Sequence, residues 1–237
     1  MLKQLDKDFN YRWLLISILG LFTALPFQAY EGAISELLIK LCVTSIMLSA
    51  IHCSWKNKVA TAILGVCMLP TLAATWFDSI LLPDNSYILC NLFFYIIFIY
   101  FISTNILKTK EHSFNALAGA LSAYLLIGLA FAYLYTYMVL KMPNAFNLPE
   151  LSAGLKGAPE EDSLSYLFGT FIYHSFITLT TVGYGDVTPN SFPARFLCIF
   201  EAIIGQIYLV VVVSGFVGLF VSQKMIDQSN HKEKEEK

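Results

Sequence analysis

Charge is what this 237-residue chain has least of: Asp, Glu, Lys and Arg make up 14% of it, against 57% hydrophobic residues and a mean hydropathy of +0.62. Soluble domains carry about 25% charged residues, so the surface cannot face water throughout, and most of it is expected to face lipid. The 15 basic and 17 acidic residues nearly cancel to a net charge of -2, which removes the electrostatic ground for nucleic acid as a partner. Paired cysteine spacing is also missing. Cys42, Cys53, Cys67, Cys90 and Cys198 are scattered through apolar sequence, and an odd number so placed reads as free thiols rather than a metal site or a disulfide framework. No internal repeat is visible and the two halves do not mirror each other, which argues against a transporter built from related halves. The apolar runs hold too few convergent His, Asp or Ser groups for an intramembrane hydrolase. No enzymatic activity and no organic cofactor are therefore expected.

What the chain has is long apolar runs. A bilayer core about 30 Å thick needs roughly 20 apolar residues as helix. Trp13 to Tyr30, Val59 to Phe77, Asn85 to Leu107 and Ser113 to Leu140 contain no charged residue. Ala33 to Cys53 carries only Glu36 and Lys40, four apart and able to neutralise each other across one helical turn. Phe196 to Gln223 carries only Glu201. Six transmembrane helices follow. Between the last two, the polar loop Lys141 to Asp162 leads into Ser163 to Gly185, a stretch apolar through only its first two thirds, expected to enter the membrane without crossing it. The fold class is thus an all-α membrane protein with a re-entrant segment between the fifth and sixth spans. It divides into a four-helix region (1–112), a helix, re-entrant segment, helix unit (113–223) and a short, charge-rich tail (224–237).

Lys and Arg accumulate in short cytoplasmic loops. Lys3, Lys7, Arg12, Lys56, Lys58, Lys108, Lys110, Lys224, Lys232, Lys234 and Lys237 fall on one side of this six-span arrangement. Opposite lie Glu31, Asp78, Asp84, Glu150, Glu160, Glu161, Asp162 and Asp186, against Lys141, Lys156 and Arg195. Both termini are expected to be cytoplasmic, in a multi-pass protein of the plasma membrane. A cleaved signal peptide is disfavoured because the first apolar run is longer than a signal core, and the tail has no room for a regulatory domain of its own.

The segment 178–186, TLTTVGYGD, is the strongest signal. Irregular backbone at membrane depth is tolerated only where it packs in protein or lines a water-filled path. Gly183 and Gly185 alternate with side chains, so successive residues can take conformations of opposite hand. A chance tight turn would explain a lone Gly-x-Gly, but not this motif between the last two spans. Phosphate binding fails because no strand precedes the glycines and no helix begins on them.

At these residues the chain resembles potassium channels, whose selectivity filter reads TVGYG, here 181–185. The likeness extends over Ser113 to Gln223: Ser163 to Thr178 resembles their pore helix, and 201–208, EAIIGQIY, their inner helix. The resemblance implies that carbonyls of Thr181, Val182, Gly183 and Tyr184, with the Thr181 hydroxyl, coordinate permeant K+ in stacked rings made by four chains. Gly185 and Asp186 support that filter, and Gly205 marks the place of a gating hinge, with close helix packing the equal alternative. Three further copies of the chain and surrounding lipid are the implied partners. Some relatives place a carboxylic acid four residues before the filter threonine as a partner for the aspartate; here that residue is Ile177, leaving Tyr173 or His174 to serve. Glu201 reads as a structural hydrogen-bonding group behind the pore helix. Six-span relatives carry regularly spaced arginines on their fourth helix, whereas Asn85 to Leu107 has no basic residue, so strong voltage gating is not expected. A separate regulatory subunit, lipid, stretch or the filter itself remain open as the origin of gating. The competing readings are a less selective cation channel on the same scaffold and, remotely, a transporter.

Overall fold

The computed structural model describes residues 11–26, 33–55, 57–76, 84–108, 114–148 and 160–215, with single positions at 217, 218, 221 and 225. Most of the charged positions used for orientation lie outside these residues, as do the polar loop at 149–159 and the Glu36 side chain of the expected Glu36–Lys40 pair. Among the described residues seven α-helices order the chain: α1 (Tyr11–Ala24), α2 (Ala33–Ser54), α3 (Lys58–Trp76), α4 (Asp84–Lys108), α5 (Phe114–Lys141), α6 (Glu160–Leu179) and α7 (Phe192–Ile207). A π-helical segment, Tyr208–Val213, continues α7.

Among the described residues four stretches are long and apolar enough to cross a membrane: Leu37–Ser54, Ser86–Ile106, Phe114–Lys141 and Phe192–Val212. As described, α1 has 14 residues, about 21 Å at the helical rise and less than a hydrocarbon core about 30 Å thick. Helix α3 runs through Pro70, which has no amide to bond four residues back.

Helix α5 is the hub. Of its 28 residues 17 are buried, because α4, α1, α6 and α7 all pack on it. Aromatic contacts form much of that packing: Tyr95 of α4 stacks on Tyr133 of α5 at 5.5 Å, and Tyr133 meets Phe168 of α6 at 4.3 Å. Phe22, just C-terminal of mid-α1, meets Phe176 of α6 edge-on at 4.6 Å. Each such pair is worth about 0.5–1.5 kcal/mol beyond its burial. Gly128 lets α6 approach α5 closely, for a Cβ there would lie 2.7 Å from Phe176 Cζ.

Helix α7 begins at Phe192 rather than at the expected Phe196. Ser191 caps it by accepting the Ala194 amide, and Pro193 occupies the first turn; both suit an N-terminus, whereas reading Arg195 as a boundary placed the start too late. The all-α expectation also misses a two-residue antiparallel ladder. Phe146 pairs with Pro189 and Asn147 with Thr188, and Ala145 O accepts both the Asn190 and Ser191 amides. This ladder laces the end of α5 to the segment that follows the 178–186 motif. All five cysteines are free.

Candidate functional site

Helix α6 ends at Leu179, and the chain then turns back on the helix's last carbonyls. The Thr181 amide donates to Thr178 O (3.0 Å), while the Val182 and Gly183 amides both donate to Ile177 O (2.8 and 3.0 Å). The helix terminus thereby finds donors for carbonyls it cannot satisfy internally. The loop's first three amides are spent in this way; its carbonyls are not. Among the described residues no hydrogen bond reaches the carbonyl of Thr181, Val182, Gly183 or Tyr184.

Backbone handedness explains how such a loop can exist. Thr181, Gly183 and Gly185 have positive φ, at 63°, 53° and 80°, and Val182 and Tyr184 between them do not. The alternation expected from the two glycines is present and starts one step earlier, on a threonine. A left-handed non-glycine residue costs about 1–2 kcal/mol, and local composition alone gave no sign of it. Beyond the loop, Asp186 bonds the Val187 amide (2.9 Å) and accepts a hydrogen bond from Tyr173 Oη (2.6 Å). Of the two expected partners it is therefore Tyr173 that serves. The Tyr173 hydroxyl first, and the Val187 amide after it, hold the Asp186 carboxyl below its ordinary value. His174 instead lies buried, its Nε2 3.5 Å from Cys198 Sγ.

Behind the loop, three helices converge on Glu201, which is wholly buried. Tyr135 Oη of α5 donates to Glu201 Oε2 (2.5 Å); Ser175 Oγ of α6 contacts Glu201 Oε1 and lies 2.7 Å from Gly128 O of α5. The structural role read for Glu201 is what these contacts make. Tyr135, Ser175 and Gly128 escaped the sequence reading as partners because they stand 26 to 66 residues from the groups they meet. Tyr124 of α5 likewise donates to Leu179 O (3.0 Å) at the end of α6. Gly205 sits against that same turn: a Cβ on it would lie 2.6 Å from Leu179 Cδ1. The irregularity in this helix is three residues further on, where the Ser214 amide bonds Leu209 O in the five-residue spacing of the π segment.

The outer face of α7 is bare. Of residues 192–212 only Ala194, Glu201, Gly205 and Tyr208 are buried, and Phe196, Ile199, Phe200, Ile203, Ile207 and Val210 are exposed at helical spacing. Val182 and Tyr184 in the loop are exposed as well, at 51% and 73%.

Residues 120–222 match the ion channel family. Over 39 residues the chain is also 49% identical to human potassium channel subfamily K member 17, a stretch that covers 16% of this chain and 11% of that protein. No solved structure matches the chain. Together these findings support an ion channel domain in the half of the molecule that contains the loop.

Proposed function

We propose that the chain is a subunit of a potassium-selective channel in the plasma membrane, with six transmembrane helices, both termini cytoplasmic and α6 re-entrant. Four copies surround one axis. The carbonyls of Thr181, Val182, Gly183 and Tyr184, with the Thr181 hydroxyl, form stacked rings that replace the hydration shell of K+, and conduction is passive movement between them. The observation that carries this reading is the alternating handedness at 181, 183 and 185 in a loop whose Thr181, Val182 and Gly183 amides are bonded and whose carbonyls, among the described residues, are left unspent. The exposed apolar face of α7, together with Val182 and Tyr184, supports assembly, since copies of the chain would cover them. Gly185 and Asp186 brace the loop, with Tyr173 replacing the carboxylic acid found in some relatives.

Gly205 serves this reading in one of two ways, as a gating hinge or as a packing contact. Unaltered opening and closing of Gly205→Ala channels in single-channel records would reject the hinge. The channel itself is tested with purified protein in liposomes: potassium flux well above sodium flux and blocked by barium is the expected result. Equal fluxes would favour a less selective cation channel, and no passive flux of either ion would overturn the proposal.

A further inference from the structure

Proton counting around Glu201 leads to a property of this chain that the channel reading alone does not contain. A serine hydroxyl has one proton to donate. Ser175 Oγ nevertheless has two oxygen neighbours at hydrogen-bonding distance, Gly128 O and Glu201 Oε1. The Gly128 carbonyl can only accept. Both contacts are hydrogen bonds only if Glu201 supplies the second proton. The other carboxyl oxygen, Oε2, is served by Tyr135 Oη, which donates to it.

The surroundings agree. Glu201 is fully buried, and a buried carboxylate with no cation is among the costlier arrangements in a protein. The titratable and polar groups facing it are Tyr135 and Tyr124 from α5, Ser175 and His174 from α6 and Cys198 from α7 itself. No Lys or Arg is among them. His174 turns its Nε2 to Cys198 and leaves Nδ1 buried without a partner among the described residues, so it supplies no direct counter-charge.

We propose that Glu201 is held as a neutral carboxylic acid and is a positioning residue. Its own proton goes to Ser175, the Ser175 proton goes to Gly128 O, and this relay clasps α7 to α6 and α6 to α5 directly behind the filter. Loss of the Glu201 proton to solvent leaves one serine proton for two acceptors. One of the two ties must break, and a buried charge appears without a counter-ion. Alkaline solution therefore loosens the inner helix from the pore helix. The link to conduction rests on the channel reading; the clasp does not.

Glu201→Gln tests it, because the amide supplies one donor for Ser175 and one acceptor for Tyr135 without a titratable proton. Infrared difference spectra of wild-type protein against Glu201→Gln in detergent at neutral pH should show the carbonyl stretch of a protonated carboxyl, missing in the variant. Thermal stability and potassium flux should fall for wild type as pH rises into the alkaline range and stay flat for Glu201→Gln. If the variant does not assemble, Ser175→Ala provides the second test: the same acid band should persist and shift to higher frequency as its acceptor is lost. Carboxylate bands from Glu201 at neutral pH, or an identical alkaline fall in wild type and Glu201→Gln, would overturn the clasp. Protein that shows the acid band and the alkaline loss of stability but passes no ions upholds the clasp and sinks the channel reading instead.

Discussion

Replacing Gly205 with Ala adds one methyl group at the point where α7 touches the end of α6, and two opposing quantities can be weighed there. The new Cβ would lie 2.6 Å from Leu179 Cδ1, 3.2 Å from its Cγ and 3.4 Å from its carbonyl oxygen. Carbon pairs are comfortable at about 3.5–4.0 Å. Cδ1 and Cγ can move only by changing the rotamer of a fully buried side chain, and the carbonyl only with the helix end. Overpacking of this kind costs about 1–3 kcal/mol, while Ala over Gly within a helix returns about 1 kcal/mol. Gly205→Ala should therefore destabilise each chain by about 0–2 kcal/mol. A double-mutant cycle sharpens this range. Leu179 is fully buried, so Leu179→Ala alone should cost about 2–5 kcal/mol. With the leucine gone the clash is gone, and Gly205→Ala should then stabilise by about 1 kcal/mol from helix propensity. The coupling between the two sites is therefore expected at about 1–3 kcal/mol, read from reversible unfolding in detergent micelles. A coupling below about 0.5 kcal/mol, or a Gly205→Ala protein more stable than wild type by the full propensity gain, would refute the packing argument.

Three further outcomes follow from the site. Tyr173→Phe removes the largest influence lowering the Asp186 pKa. A carboxyl depressed in the folded state stabilises it above the unfolded pKa and loses that contribution as pH falls through the folded one, so the acid-dependent loss of stability should be smaller in the variant and complete at higher pH, with an upward shift of Asp186 in an NMR titration; unchanged titration would contradict the assigned bond. Gly183→Ala puts a Cβ on a residue at φ 53° with no atom within 4 Å of it, so the penalty is conformational, about 1–2 kcal/mol per chain, and potassium over sodium discrimination in liposome flux should collapse; wild-type selectivity in this variant would count against the loop as the filter. Because the stretch from Asn85 to Leu107 carries no basic residue, the conductance–voltage relation should be shallow, and steep activation with large gating currents would show that charge elsewhere crosses the field, at about 2.3 kcal/mol per 100 mV for each elementary charge.

The helices were legible in the chain because burial in lipid demands uncharged length. The α4 and α5 boundaries expected at 85–107 and 113–140 fall within one residue of Asp84–Lys108 and Phe114–Lys141. The α7 start was missed by four residues, since a charge was taken as a boundary where a Ser cap and a Pro define one. Gly183 and Gly185 announced their positive φ by lacking a side chain; Thr181 could not, as its left-handed backbone is imposed by the turn onto Ile177 and Thr178.

Local composition and order thus determined the membrane environment, the helix-forming runs and the loop, because these depend on transfer energies and on backbone sterics that each residue carries with it. Tertiary structure alone decided that Tyr173 serves Asp186, that Gly205 meets Leu179, and that Tyr135, Ser175 and Gly128 gather round Glu201. A hydrogen bond needs its partners within about 3 Å, and nothing in the spacing of residues 128, 135, 175 and 201 along the chain says which helix faces will meet.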